Sequence, residues 1–163
     1  MLVINFKVPP TTNELFNIAV AGVLSQGVQC LDESGECQYR GSTEYDINLE
    51  PIGETTACAV GWLITDEVYT RNSGSIHSEM ISDGSCNKTR LCVEESIGRK
   101  LLDFEANMLR NLQNCHDCAI NDVPQNYSRA SKLSKAKSLM AAFLYRANKM
   151  ADRHGMPRYR KPS

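Results

Sequence analysis

The sequence predicts a small, mainly α-helical domain with a minor β or irregular N-terminal portion, and three observations lead there. Apolar residues recur at helical spacing in the first fifth of the chain and again through its second half. The interval between, from Val28 to Thr56, is polar and broken by Gly35, Gly41, Pro51 and Gly53, with no apolar period. The length of 163 residues and 42% apolar content suit one ordinary domain able to bury a core. We therefore expect a single globular domain over residues 1–157 and a short basic tail over 158–163.

The opening "MLVINFKV" alternates at Leu2, Ile4 and Phe6 and ends at Pro9-Pro10, where helix is disfavoured, so it reads as a strand or extended arm. In "TTNELFNIAVAGVLSQG", Leu15, Ile18, Ala19, Val23 and Leu24 fall near one helical stripe. Thr12 or Asn13 is placed to cap its first turn, and Gly27 to stop its last. In "TACAVGWLITDEVY", Trp62, Leu63 and Ile64 form an apolar cluster too short for a long helix. Thr65 can cap the next turn, and Asp66 and Glu67 suit the positive end of a helix dipole, so two short helical turns should meet near Thr65. "TRNSGSIHSEMISDGSCN" reads as a loop of about eighteen residues, long for a compact domain and the segment most expected to move.

Beyond it, Leu91, Val93, Ile97, Leu101 and Leu102 begin a stripe that Phe104, Met108, Leu109 and Leu112 continue, with a bend expected near Gly98 or Asp103. The strongest pattern is the last: Leu133, Ala136, Met140, Phe143, Leu144, Ala147 and Ala151, closing at Gly155.

The net charge of −1 conceals a polarity. Residues 1–128 carry 8 Lys or Arg against 18 Asp or Glu, and residues 129–163 carry 10 against 1. Such a split serves intramolecular pairing, subunit contact or an acidic partner, nucleic acid through the basic C-terminal helix included. Seven cysteines, an odd number, argue against a complete disulfide framework. The start carries no basic segment followed by an apolar run, and no stretch approaches the roughly 18 apolar residues of a membrane span. The expectation is a cytoplasmic protein without a membrane partner, and its oligomeric state is left open.

Four short stretches, "CQYRG" from Cys37, "CAVGWLITDEVY" from Cys58, "LQNCHD" from Leu112 and the terminal "RHGM", raise the question of chemistry. Cys58 at a helix start, with His116 and Asp117, has the residue types of a cysteine-dependent hydrolase or transferase. Adjacent residues on a helix point about 100° apart, however, so Asp117 is not expected to orient the His116 imidazole. "CHDC" supplies half of a zinc motif without a second pair, so Cys115, Cys118, His116, Cys37 and Cys58 are not assigned a metal, and no cofactor is expected. His77 reads as an exposed loop histidine and His154 as a cation completing a helix C-terminus.

A packing role suits the same residues: small Cys58 and Ala59 under a neighbouring helix, Gly61 for close backbone approach, and Arg40 paired with a carboxylate such as Asp66 or Asp117. The candidate ligand-binding set is Tyr39, Arg40, Cys58, Tyr69, His116 and Asp117, in which a guanidinium and aromatic rings would hold an anionic, nucleotide-like small molecule.

The four stretches resemble the C-x-Y-R, C-A-x-G-x-L-I-x-D-x-x-Y, L-Q-x-x-H-D and H-G signatures of a family of small, mostly uncharacterised tailed-phage and prophage proteins. Here residues 42–57, and the loop after Tyr69, are longer than that pattern. The resemblance implies a phage-encoded accessory protein acting in the host cytoplasm. It would bind a host or anti-phage defence protein and inhibit or redirect it without catalysis, with sequestration of a nucleotide-like signal as the alternative.

Overall fold

The computed structural model describes residues 6–27, 30, 38–42, 54–76, 80–84, 86–119 and 132–161. The chain is mainly helical: α1 (Thr12–Gln26), α2 (Asp66–Ile76), α3 (Lys88–Ile97), α4 (Asp103–Asp117) and α5 (Lys132–Arg153). Between α1 and α2 lie β1 (Gly41–Ser42) and β2 (Thr55–Thr56), a two-residue antiparallel pair with Gly41 opposite Thr56, then a 3₁₀ turn over Gly61–Leu63. The strand expected over residues 1–8 lies mostly outside the described residues, as do Cys37 and His77; Phe6 to Pro10 form no strand. Among the described residues no helix is long and apolar enough to cross a membrane.

α1 starts one residue earlier than the sequence suggests, and Thr11, not Thr12 or Asn13, is its cap. The Thr11 N–H donates to Glu14 Oε2 at 2.7 Å, and the Glu14 N–H donates back to Thr11 Oγ1 at 3.4 Å. This reciprocal box satisfies two of the orphan donors of a first turn. Gly27 ends the helix at φ 69°, in the left-handed region. Leu15, Phe16, Ala19, Val20 and Val23 are buried, with Ile18 and Leu24 at the margin of the core.

The segment after Thr65 departs from expectation. Where a loop was expected from Thr70 onward, α2 runs to Ile76. Thr65 Oγ1 accepts from the Val68 N–H as anticipated. Further along, Val68 and Ile76 are buried, Asn72 Nδ2 bonds the Val68 carbonyl, and Arg71 pairs with Glu95 of α3. Packing against α3 thus overrides the weak helix propensity of Asn72, Ser73 and Gly74.

The stripe from Leu91 to Leu112 breaks into α3 and α4 at Gly98, whose φ of 72° is left-handed. Burial of two acids holds this elbow. Glu105, on α4, accepts Arg99 NH1 and NH2 at 2.8 Å each, Thr12 Oγ1 at 2.6 Å and the Leu102 N–H at 2.9 Å. Arg99 Nε also donates to the Pro10 carbonyl, tying the start of α1 to the elbow. Glu94 accepts Arg90 Nε at 2.9 Å, Lys100 Nζ at 2.6 Å and the Leu101 N–H at 3.0 Å. Arg90 in turn bonds the Asp83 and Leu101 carbonyls and Asp103.

Burial alone would raise both carboxyls. For Glu105 the bonds from Arg99, Thr12 and the Leu102 N–H outweigh it, for Glu94 those from Lys100, Arg90 and the Leu101 N–H, and both are held below their ordinary 4.5. Their contribution to stability is therefore complete above the unfolded value and is lost as pH falls from about 4.5 through the lower folded pKa. Glu105→Gln should lower stability by about 2 kcal/mol at pH 7 and flatten the acid limb of a plot of Tm against pH. An unchanged acid limb would show that this carboxylate contributes no such linkage.

Candidate functional site

The segment from Cys58 to Tyr69 is placed by steric fit. Gly61 sits where a Cβ would lie 2.0 Å from the Tyr39 carbonyl oxygen and 3.2 Å from Ala57 Cβ, so only glycine allows the two backbones to meet. Gly22 of α1 is equally constrained, since a Cβ there would fall 2.2 Å from the Trp62 ring. Trp62 therefore lies flat on α1, and its Nε1 donates to Gln26 Oε1 at 3.2 Å. The same Gln26 amide reads the Ala57 peptide at both ends, accepting its N–H and donating to its carbonyl, each at 2.9 Å. Leu63 and Ile64 are fully buried, while the Thr65 N–H reaches Ser96 Oγ of α3 at 3.0 Å.

Arg40 closes this arrangement. Its side chain is 6% exposed. NH1 donates to the Gly61 carbonyl and NH2 to the Ile64 carbonyl, NH2 lies 3.4 Å from Asp66 Oδ1, and the guanidinium stands 5.5 Å over the Tyr69 ring. The Gly61 carbonyl also accepts the Ile64 N–H at 3.2 Å within the 3₁₀ turn, whereas Ile64 is the cap residue, whose own carbonyl the turn does not pair. A planar fork with fixed donors is the side chain that can satisfy both at once. Of the two acids anticipated as its partner, Asp66 is the one used.

The six candidate ligand residues divide into two groups. Arg40 and Tyr69 are stacked, and Tyr39 and Cys58 adjoin them. His116 and Asp117 lie at the end of α4. The Tyr39 hydroxyl donates to Gln113 Oε1 of α4 at 3.4 Å, so Tyr39 joins the "CQYR" turn to the long helix. Burial pushes the Tyr39 hydroxyl well above its ordinary range, with the neighbouring Cys58 adding to the effect. Cys58 is 0% exposed, and its sulfur accepts the Gly61 N–H at 3.3 Å.

His116 requires a correction. Despite the divergence of adjacent Cα–Cβ bonds, Asp117 Oδ1 lies 3.0 Å from His116 Nδ1. The side-chain torsions of both residues absorb the angle, because Asp117 is half-buried and its carboxylate can swing back along the helix. The imidazole itself is 1% exposed and packs edge-on against Phe143 of α5, ring centroids 6.1 Å apart. Orienting partner and imidazole are thus present, but in the α4–α5 core rather than at a surface.

One cleft of about 500 Å³ runs between the ends of α4 and α5 and is lined by residues including Asn111, Cys115, Tyr145 and Arg153. Others lie at the α3–α4 elbow, beside Leu91 and Lys100, and along Phe6 to Ile18. Tyr39, Arg40, Cys58, Tyr69, His116 and Asp117 line none of these three. Among the described residues no three His, Cys, Asp or Glu side chains are placed to hold a metal ion. Burial raises the Cys30 thiol to about 12 and the Cys115 thiol to about 11, which keeps both protonated at neutral pH. His154 stands exposed beyond α5, with Nε2 3.4 Å from Asn111 Nδ2.

Sequence reasoning missed Arg90, Glu94, Arg99 and Glu105. The one available signal was Glu105 three residues after Leu102, the N3 position from which a carboxylate reaches back to a helix start.

No protein-family model matches this chain, and neither a search of curated proteins nor a search of solved structures found a match.

Proposed function

We propose that this protein is a phage-encoded accessory protein that binds a host or anti-phage defence protein in the host cytoplasm and inhibits or redirects it without turnover. One observation carries the non-catalytic part of the reading: Cys58, the nucleophile candidate, is wholly enclosed and its sulfur is engaged with the Gly61 N–H. A nucleophile must meet its substrate. The four signature stretches then preserve a scaffold, and recognition falls to the surface that the scaffold presents. The phage origin and the choice of partner rest on the resemblance of those stretches.

The α3–α4 elbow offers exposed apolar side chains of the kind that mark protein contact, with Leu102 58% and Phe104 52% exposed and Leu91 of α3 41% exposed. Affinity capture from host cells, followed by reconstitution with the purified partner, tests the reading. Cys58→Ala should form the same stoichiometric complex with affinity within about twofold, a small fraction of the 1.4 kcal/mol that a tenfold change represents. Leu102→Ser/Phe104→Ser should lose the complex and stay folded, since serine at the cap of α4 is a better N-cap than leucine. Turnover of a substrate abolished by Cys58→Ala in a folded protein would overturn the proposal.

A further inference from the structure

The cleft between α4 and α5 has a composition that the proposed protein-binding role does not use. Its volume is about 500 Å³, within the range of small-molecule sites. Arg146, Lys149 and Arg153 line one wall, at spacings of three and four residues that align them on one face of α5. Asn111 and Asn114 of α4 line the other wall and bring amide donors. Among the described residues no Asp or Glu lines the cleft. Two acids adjoin lining residues in sequence and both are engaged elsewhere: Asp117 lies 3.0 Å from His116 Nδ1, and Asp152 is turned to the C-terminal tail, where Arg158 Nε and NH2 hold it at 2.9 and 2.8 Å. Burial keeps the Cys115 thiol of the cleft protonated, and Arg146 and Arg153 are near enough to act on it.

Three cations lining one concavity create a field that concentrates anions. Guanidinium forks bind phosphate oxygens in pairs, and lysine adds a point charge. At the rim stands Tyr145, 66% exposed, a phenol ring offering a stacking face to solvent. We propose that this cleft binds a nucleoside di- or triphosphate, its phosphates on Arg146, Lys149 and Arg153 and its base against Tyr145. A single exposed ring over a closed set of cations fits one nucleotide; a nucleic-acid strand needs an extended track with successive stacking rings. The site stands apart from Tyr39 and Arg40, and the inference is independent of the proposed protein partner.

Titration calorimetry of the full chain at low salt tests it with three probes: ATP, inorganic tripolyphosphate and a thymidine oligonucleotide. ATP should bind, and Lys149→Gln/Arg153→Gln, both at exposed positions, should weaken it by at least about tenfold with Tm unchanged. Tyr145→Ala should weaken ATP while leaving tripolyphosphate as it was, which separates base stacking from phosphate capture. Absence of ATP binding overturns the proposal. So does ATP affinity unmoved by the double substitution, or an oligonucleotide that binds through these residues more tightly than ATP.

Discussion

Arg40→Met should lower the stability of the protein by about 3 to 5 kcal/mol, the usual consequence of removing one partner from a buried charge-assisted network. The methionine keeps the apolar stem but takes the guanidinium donors from the Gly61 and Ile64 carbonyls, leaving Gly61 with the Ile64 N–H alone, and takes its cation from Asp66. A buried acceptor that loses its donor carries its desolvation cost. At roughly 2–4 °C per kcal/mol for a chain of this size, Tm should fall by roughly 6 to 20 °C. Arg40→Lys should recover only part of this, because one ammonium cannot span two carbonyls as the fork does. A thermal melt of the three proteins decides the matter; a Tm for Arg40→Met within about a degree of wild type, well under the shift expected for 1 kcal/mol, would mean that Arg40 does not clamp the 3₁₀ turn.

Gly61→Ala should be as severe. The added methyl would lie 2.0 Å from the Tyr39 carbonyl oxygen and 3.0 Å from its carbon, and backbone cannot step aside as the end of a flexible side chain can. Relief requires moving either the Tyr39 peptide, and with it the Arg40 clamp, or the 3₁₀ turn, and with it Trp62, Leu63 and Ile64. Overpacking against movable side chains costs about 1 to 3 kcal/mol, and a clash between two backbones belongs at the top of that range or beyond. Gly27→Ala makes the control. No atom lies within 4 Å of a Cβ at Gly27, so its cost is confined to the left-handed φ of 69°, about 1 to 2 kcal/mol. Denaturant melts should therefore rank Gly61→Ala well below Gly27→Ala; the reverse order would contradict the close approach at Tyr39.

The contrast between these glycines illustrates what the sequence makes legible. Apolar spacing locates α1, α4 and α5, because a helix packed on one face must repeat near every third or fourth residue. Among the described residues, Gly27, Gly98 and Gly155 mark points where the chain turns left-handed. The "CAVGWLI" cluster reads as packing because its residues are small or apolar, and the pairing of Arg40 with Asp66 was among the options the sequence offered. Other features depend on tertiary context. Arg90 and Glu94, four residues apart on a helix, read as an ordinary solvated pair; they are buried because the elbow after Gly98 folds Leu101 and Asp103 back over them. α2 was hidden for the converse reason, its polar residues giving no stripe while Val68 and Ile76 bury themselves on α3. The α4–α5 cleft needed both helices in place, since Asn111 and Arg153 are 42 positions apart and only the fold brings them to one concavity.

The identity of Cys58 as a packed residue without bond-making chemistry underlies the functional reading, and its accessibility to a thiol reagent tests this most directly. The native protein treated with N-ethylmaleimide, then digested and mapped by mass spectrometry, supplies its own reference in Cys86, which is exposed. Cys86 should be modified quickly while Cys58 stays unmodified until denaturant is added. Modification of Cys58 in native buffer at a rate comparable with Cys86 would place that sulfur within reach of solvent and substrate, and would contradict the account.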